Sequence, residues 1–202
     1  MAIAQRRGAR LLRVEDAFLR SVLPGRARGA RGPIGLIADP LGLHFDPAAP
    51  SLIESLITAP ATAARMDEAR AAIDRLIAAD LSKYNTHLPQ AAAPAPGYAL
   101  IIDQTRGDAS LLGAGRAEFL DMLAAARDEN PGQRLVIRSH PETAAGFRPG
   151  HFTADDLRPG EAFCSGPVSP WRLLDGAARV YAMSSQLGYE AMLAGHRPRI
   201  FG

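Results

Sequence analysis

Three short segments place polar side chains directly behind apolar runs. Gln104 to Asp108 (QTRGD) follows YALIID, His140-Pro141 follows RLVIRS, and Ser184-Ser185 closes ARVYAMS. The first segment offers an amide, an arginine and a carboxylate, and Asp108 can act on the anomeric centre of a sugar; a turn-forming aspartate after glycine accounts for the same letters. At the second, Pro141 stops the backbone and the His140 imidazole can donate a hydrogen bond to a phosphate oxygen, although a structural histidine at a strand end is the plainer reading. At the third, two hydroxyls, the free N–H groups of a starting helix and its dipole make an anion site, and the same geometry demands an ordinary serine N-cap. Both can hold at once. Glu190, further along that helix, reaches a ribose hydroxyl if it faces a cleft and is otherwise a solvated helix residue.

Positioning these groups requires a particular fold. YALIID (98–103), RLVIRS (134–139), EAFCSG (161–166), ARVYAMS (178–184) and the terminal RPRIFG read as strands. Between them lie a helix from Arg116 to Asn130 closed by Pro131-Gly132, a short helix in SPWRLLDGA, and a helix in SQLGYEAMLAGH. Apolar strands alternating with amphipathic helices predict an α/β fold, a Rossmann-like parallel sheet with helices on both faces. Ligands of such sheets bind beyond the carboxyl ends of the strands, where all three segments fall.

Upstream, GLIAD (35–39) and LHFD (43–46) read as short strands, and Ser51 with Glu54 as a capping box. A helix is predicted from about Ala61 to Lys83. Met66, Ala69, Ile73, Leu76, Ile77 and Leu81 follow helical spacing, which predicts a buried face. The proline and alanine run LPQAAAPAPG (88–97) reads as a connector.

Composition excludes several function classes. With 202 residues, 47% of them apolar, the chain can bury a real core. Lys plus Arg number 23 against 21 Asp plus Glu, a net charge of only +2, so nucleic acid is not an expected partner. Arginines 6, 7, 10, 13, 20, 26, 28 and 31 nevertheless crowd the N-terminal stretch, suiting phosphates, anionic sugars or an acidic lipid surface, or simply a solvated face. A lone cysteine, Cys164, fits a reducing cytoplasm, and neither a signal peptide nor a spanning segment is legible. The expected location is cytoplasmic, with contact to the inner face of a membrane through a partner or the basic patch. LGAGRAEF has Glu118 where a dinucleotide fingerprint needs its third glycine. Histidines 44, 87, 140, 151 and 196 share no metal-ligand spacing, and no G-x-S-x-G elbow occurs, so no metal and no hydrolase triad are expected.

Taken in order, RVEDAFLRS (13–21), GLIADPLGLHFDPAAPS (35–51), LSKYN (81–85), IIDQTRGDAS (101–110), SHP (139–141) and SSQLGYEAMLAG (184–195) resemble the capsule polysaccharide biosynthesis proteins of the KpsC type, the retaining β-Kdo transferases. The resemblance implies a two-Rossmann GT-B architecture. Residues 1–60 would be a partial acceptor-side half, 61–97 a crossover helix and linker, and 98–202 a nucleotide-sugar-binding half. It implies that His140 and Ser184-Ser185 bind the phosphate of a CMP-sugar, with Gln104 and Glu190 in the same binding set and Lys83 adding positive charge near the donor. Asp108 would attack the Kdo anomeric carbon, and the Glu15-Asp16 pair would act on the acceptor. No cofactor beyond the CMP-activated donor is implied; the partners would be CMP-Kdo, a glycolipid or saccharide acceptor, and a capsule-assembly complex at the inner membrane. CMP as a leaving group needs no metal to activate it, and a carboxylate nucleophile supplies the first of the two inversions that retention requires. Ala17 stands where the family has glycine after Glu-Asp, and both ends of the chain are expected to be cut relative to the family. The alternatives are another CMP- or UDP-sugar enzyme of similar fold, sialyltransferase-like, and a non-catalytic module of a capsule-assembly complex.

Overall fold

The computed structural model describes residues 4, 6–28 and 32–202. Strands β1 (Arg13–Asp16) and β2 (Leu36–Asp39) pair antiparallel, with Glu15 opposite Ile37. Helix α1 (Leu52–Thr58) starts on the expected capping box: the Ser51 hydroxyl accepts the Glu54 N–H, and the Glu54 carboxylate accepts the Ser51 N–H. Helix α2 (Ala63–Ala78) follows, capped by Thr62. Two expectations fail here. LHFD is a turn and RVED the strand, because the buried Asp39 carboxylate accepts the N–H groups of Leu41, Gly42 and Leu52 and folds the chain back after β2. Helix α2 ends well before Lys83: Asp80 takes a left-handed φ of 52°, and the Leu81 and Asp80 N–H groups cap the carbonyls of Leu76 and Ile77. This is a Schellman stop without its usual glycine, so the letters did not announce it.

The predicted burial of the α2 face is also corrected. Met66 remains 44% exposed and Leu81 40%, while Leu76 alone of the six spaced residues packs on the core.

The remaining strands are β3 (Tyr98–Ile102), β4 (Leu135–Arg138), β5 (Ala162–Cys164), β6 (Ala177–Ala182) and β7 (Arg199–Ile200), all parallel, in the order β5-β4-β3-β6-β7. Helices α3 (Arg116–Glu129), α4 (Pro141–Ala144), α5 (Pro170–Asp175) and α6 (Gln186–Leu193) connect them. All of β3 is buried, as a central strand covered on both sides must be. Its alternate residues divide the core. Tyr98, Leu100 and Ile102 meet Trp171, Leu173 and Leu174 of α5 and Ala191 of α6, whereas Ala99 and Ile101 meet Phe119, Met122 and Leu123 of α3. The α/β fold with helices on both faces is therefore as predicted. Glu118, the residue that spoiled the glycine fingerprint, caps α3 by accepting the Gly115 N–H at 2.8 Å.

After β3 the chain next adds β4 and β5 on one side, then returns to lay β6 and β7 on the other. The strand order therefore reverses between β3 and β6, and the crevice outside their carboxyl ends is where such a sheet receives ligands.

Candidate active site

Gln104 and Ser184 sit on either side of that reversal and are bonded to each other. The Ser184 N–H donates to Gln104 Oε1 at 3.0 Å, and Gln104 Nε2 donates to the Ser184 hydroxyl at 3.3 Å. Ser110 extends the chain of contacts: its hydroxyl lies 3.1 Å from that of Ser184 and 2.8 Å from Asp108 Oδ1, which also accepts the Ser110 N–H. Gln104 is thus a brace across the switch point, and the Ser184 N–H is occupied. This narrows the expected anion site to the hydroxyls and the N–H groups that follow. Ser185 is the N-cap of α6, accepting the Leu187 N–H at 3.2 Å. Gln186 anchors the N-terminal segment through a 2.7 Å bond from its amide to the Phe18 carbonyl.

His140 caps α4: Nδ1 accepts the Glu142 N–H at 3.1 Å. An accepting Nδ1 in a neutral ring puts the proton on Nε2, which is then free to donate. Burial, reinforced by the nearby Lys83 charge, lowers the imidazole to about 4, so the ring is neutral at physiological pH. Burial also lowers the Lys83 ammonium, with Arg20 adding to the effect and Asp108, Glu190 and Asp16 opposing it. For Asp108, burial alone would raise the carboxyl, but the two Ser110 bonds and the charges of Lys83 and Arg148 outweigh it and hold it below the usual carboxylate range. An ionised carboxylate, a neutral N–H donor and a cation accordingly share one cleft.

Glu190 is not the solvated helix residue of the plainer reading, and it lines the smaller of the two cavities that open over the cleft. It is only 5% exposed, and it accepts the Ser82 hydroxyl at 2.7 Å and the Lys83 N–H at 3.2 Å. Burial raises its carboxyl, and those donors act against the rise. Its visible work is to pin the LSKYN loop, and with it Lys83, to α6; Trp171 secures the same loop by donating to the Leu81 carbonyl. Asp16 pairs with Arg20, whose NH1 donates to the Tyr84 hydroxyl at 3.0 Å, while Glu15 accepts the Asp16 N–H at 2.8 Å.

Two adjoining cavities open over these groups and share Lys83, His140, Ser185 and Gln186. The larger, about 700 Å³, is the more polar of the two and includes Glu15, Arg20, Asp108, Ser110, Arg148 and Ser184. The smaller, about 380 Å³, is walled by Pro141, Pro167, Val168 and Leu187, with Arg138 and Glu190 at its edges. The sequence singled out Asp108, His140, Ser184, Ser185, Lys83 and Glu15, and the fold brings them together here. Ser110 and Arg148 were missed, and Arg20 was noted only as one of the crowded N-terminal arginines. Ser110 lies inside a segment already singled out, but nothing in the spacing of FRPGH marks Arg148. Of the N-terminal arginines, Arg20 enters the cleft, Arg13 donates to the Pro40 carbonyl, and Arg31 lies outside the described residues.

The family model described as "Capsule polysaccharide biosynthesis protein" matches residues 89–202, more than half of the chain. The chain belongs to the capsule polysaccharide biosynthesis family. Among family relatives, it is 32% identical over 200 residues to the capsule polysaccharide modification protein LipA of Neisseria meningitidis serogroup A, covering 94% of this chain and 28% of LipA. It is 32% identical over 201 residues to the lipopolysaccharide-processing protein LpsZ of Rhizobium meliloti, covering 95% and 45% respectively. The chain thus spans less than half the length of these curated relatives. A solved structure, the β-Kdo 2,4 transferase of Thermosulfurimonas dismutans KpsC, superposes with a TM-score of 0.84 at 33% identity, over 98% of this chain and 63% of that one. A β-Kdo 2,7 transferase of the same source shares the fold, with a TM-score of 0.64 at 20% identity. Among the described residues no helix is long and apolar enough to cross a membrane.

Proposed function

We propose that this chain carries the donor site of a retaining Kdo transferase of GT-B type, acting from CMP-Kdo in the assembly of a capsule or related surface polysaccharide. The observation that carries the reading is the convergence of Asp108, Ser110, Ser184 and His140 at the carboxyl ends of β3, β4 and β6, at the reversal of strand order.

In this reading the nucleoside lies in the smaller, more apolar cavity and the sugar in the larger one. The phosphate rests where the two meet, with His140 Nε2–H, the Ser185 hydroxyl and Lys83 as donors. A neutral imidazole suits that place, since it stabilises the departing phosphate without first having to bind a proton. One oxygen of the ionised Asp108 attacks the anomeric carbon as the bond to the CMP phosphate oxygen breaks, and CMP leaves with the electron pair. An acceptor hydroxyl then displaces Asp108, giving its proton to a carboxylate of the facing segment. Glu15 is better placed for this than Asp16, whose charge is engaged by Arg20. A CMP-activated donor puts the reaction on the cytoplasmic side, at the inner membrane where a lipid-linked acceptor would be met.

Thermal unfolding tests the reading. CMP should raise the melting temperature and UDP should not, because a ligand specific to the folded state stabilises by mass action. Equal effects of the two nucleotides would point to another nucleotide-sugar enzyme.

A second reading, a docking module of a capsule-assembly complex, has one observation in its favour: Leu36 and Val14 stand 61% and 55% exposed on the β1–β2 sheet, and Ile34, just before β2, is 79% exposed. It predicts no response to CMP.

A further inference from the structure

We infer that Arg148 makes the larger cavity selective for an acidic sugar by taking the carboxylate of the donor, an inference that rests on the reading above. A sugar whose anomeric carbon bears a carboxylate brings that charge within a bond of the atom Asp108 must reach. Two like charges at that separation repel strongly in a partly screened site, so a cation placed against the carboxylate favours the donor.

Three basic side chains besides histidine line the larger cavity: Arg20, Lys83 and Arg148. The two terminal nitrogens of Arg20 are committed to Asp16 and the Tyr84 hydroxyl, leaving only a buried Nε without an acceptor. Lys83 lies where the cavities join, beside His140, and is surrounded by Asp108, Glu190 and Asp16. Its position serves the phosphate. Arg148 differs from both. Its NH2 donates to the Arg106 carbonyl at 2.8 Å, while NH1 stands 3.8 Å from Glu142 Oε2, too far for a hydrogen bond. Nε and NH1 therefore have no hydrogen-bond acceptor among the described residues, and the side chain is 25% exposed. It lines the same cavity as Asp108 and His140, and its charge acts on both.

The backbone under Arg148 is fixed. The Arg106 N–H donates to the Pro149 carbonyl at 2.9 Å, and Arg106 Nε to the Gly150 carbonyl at 2.8 Å. Buried Asp103 accepts the His151 N–H at 3.0 Å, and Gly150 passes so close that an added Cβ would lie 2.2 Å from Asp103 Oδ2. Glu142 holds the guanidinium on its other side without consuming it, since Glu142 Oε1 is occupied by the Arg26 N–H at 2.8 Å. A guanidinium with open N–H donors at Nε and NH1, carried on a braced loop in the same cavity as Asp108, matches a second carboxylate that arrives with the substrate.

The test compares CMP with CMP-Kdo by calorimetric titration of the whole chain and of Arg148→Gln and Arg148→Lys. Arg148→Gln should bind CMP-Kdo roughly 10- to 100-fold more weakly, the worth of one charge-assisted hydrogen bond, and CMP within about twofold of wild type. Arg148→Lys should recover only part of the loss, and thermal unfolding should show both variants folded. Parallel weakening of CMP and CMP-Kdo, or wild-type affinity for CMP-Kdo in Arg148→Gln, overturns the assignment of Arg148 while leaving the CMP site standing. Failure of the wild-type chain to bind CMP overturns the underlying reading, and the inference falls with it.

Discussion

Asp103→Asn isolates the energetics of the clamp beneath Arg148. Asp103 is 3% exposed, and its Oδ1 accepts the N–H groups of Gln104 at 2.9 Å and His151 at 3.0 Å. Burial raises the carboxyl from 3.8 to about 6, against the lowering effect of those N–H groups. A carboxyl raised in the folded state reverses the usual acid behaviour. Between the two values the folded chain keeps a proton that the unfolded chain has released, so stability falls as pH rises through that window. The whole change amounts to about 3 kcal/mol, of which about 2 kcal/mol lies between about pH 4.5 and about pH 7.5. Asparagine has the shape of the protonated acid and does not titrate. Urea unfolding of both proteins at the two pH values, with unchanged m, should therefore show Asp103→Asn gaining about 2 kcal/mol on wild type as pH rises. A difference that does not move with pH, or one that moves in favour of wild type, would refute the claim that this loop is closed over a buried carboxyl.

Gly150→Ala should lower stability by about 2 kcal/mol or more and weaken CMP-Kdo binding more than CMP binding, because its methyl must displace Asp103 or the strand of loop that carries Arg148; urea unfolding and calorimetry read both effects. The His140 ring should titrate near pH 4 by proton NMR, and a midpoint near its ordinary 6.5 would contradict the buried, neutral donor described above. His140→Ala removes the α4 cap as well, with a cost of about 1 kcal/mol in unfolding and a clear loss of CMP affinity. Asp108→Asn should keep CMP binding within about threefold while CMP-Kdo turnover falls by at least about a thousandfold, as expected for a lost nucleophile.

Much of the fold could be read from the chain because β3 to β7 are short apolar runs separated by helices, and that alternation has few solutions. The candidate cleft was legible wherever it depends on the ends of those strands: Asp108, His140 and Ser184 lie in the segments that leave β3, β4 and β6. What escaped depends on contacts between distant segments. Ser82 and Glu190 are far apart in the chain but bonded at 2.7 Å, so a residue that looks like a solvated helix position becomes a buried anchor. Asp39 draws three N–H groups together and turns LHFD out of a strand. Helical spacing in α2 describes a face correctly but cannot say whether anything covers it, and Met66 is left 44% exposed. Arg148 carries no local signal at all, since its value comes from Asp103, Arg106 and Glu142, which meet it only in the folded chain.

The central claim is that a CMP-linked sugar lies across the reversal of strand order, and a crystal structure of the chain soaked with CMP measures it most directly. The phosphate should lie within hydrogen-bond reach of His140 Nε2 and the Ser185 hydroxyl, with the cytosine in the smaller cavity beside Val168. CMP bound elsewhere, or a phosphate turned away from His140 toward solvent, would contradict it.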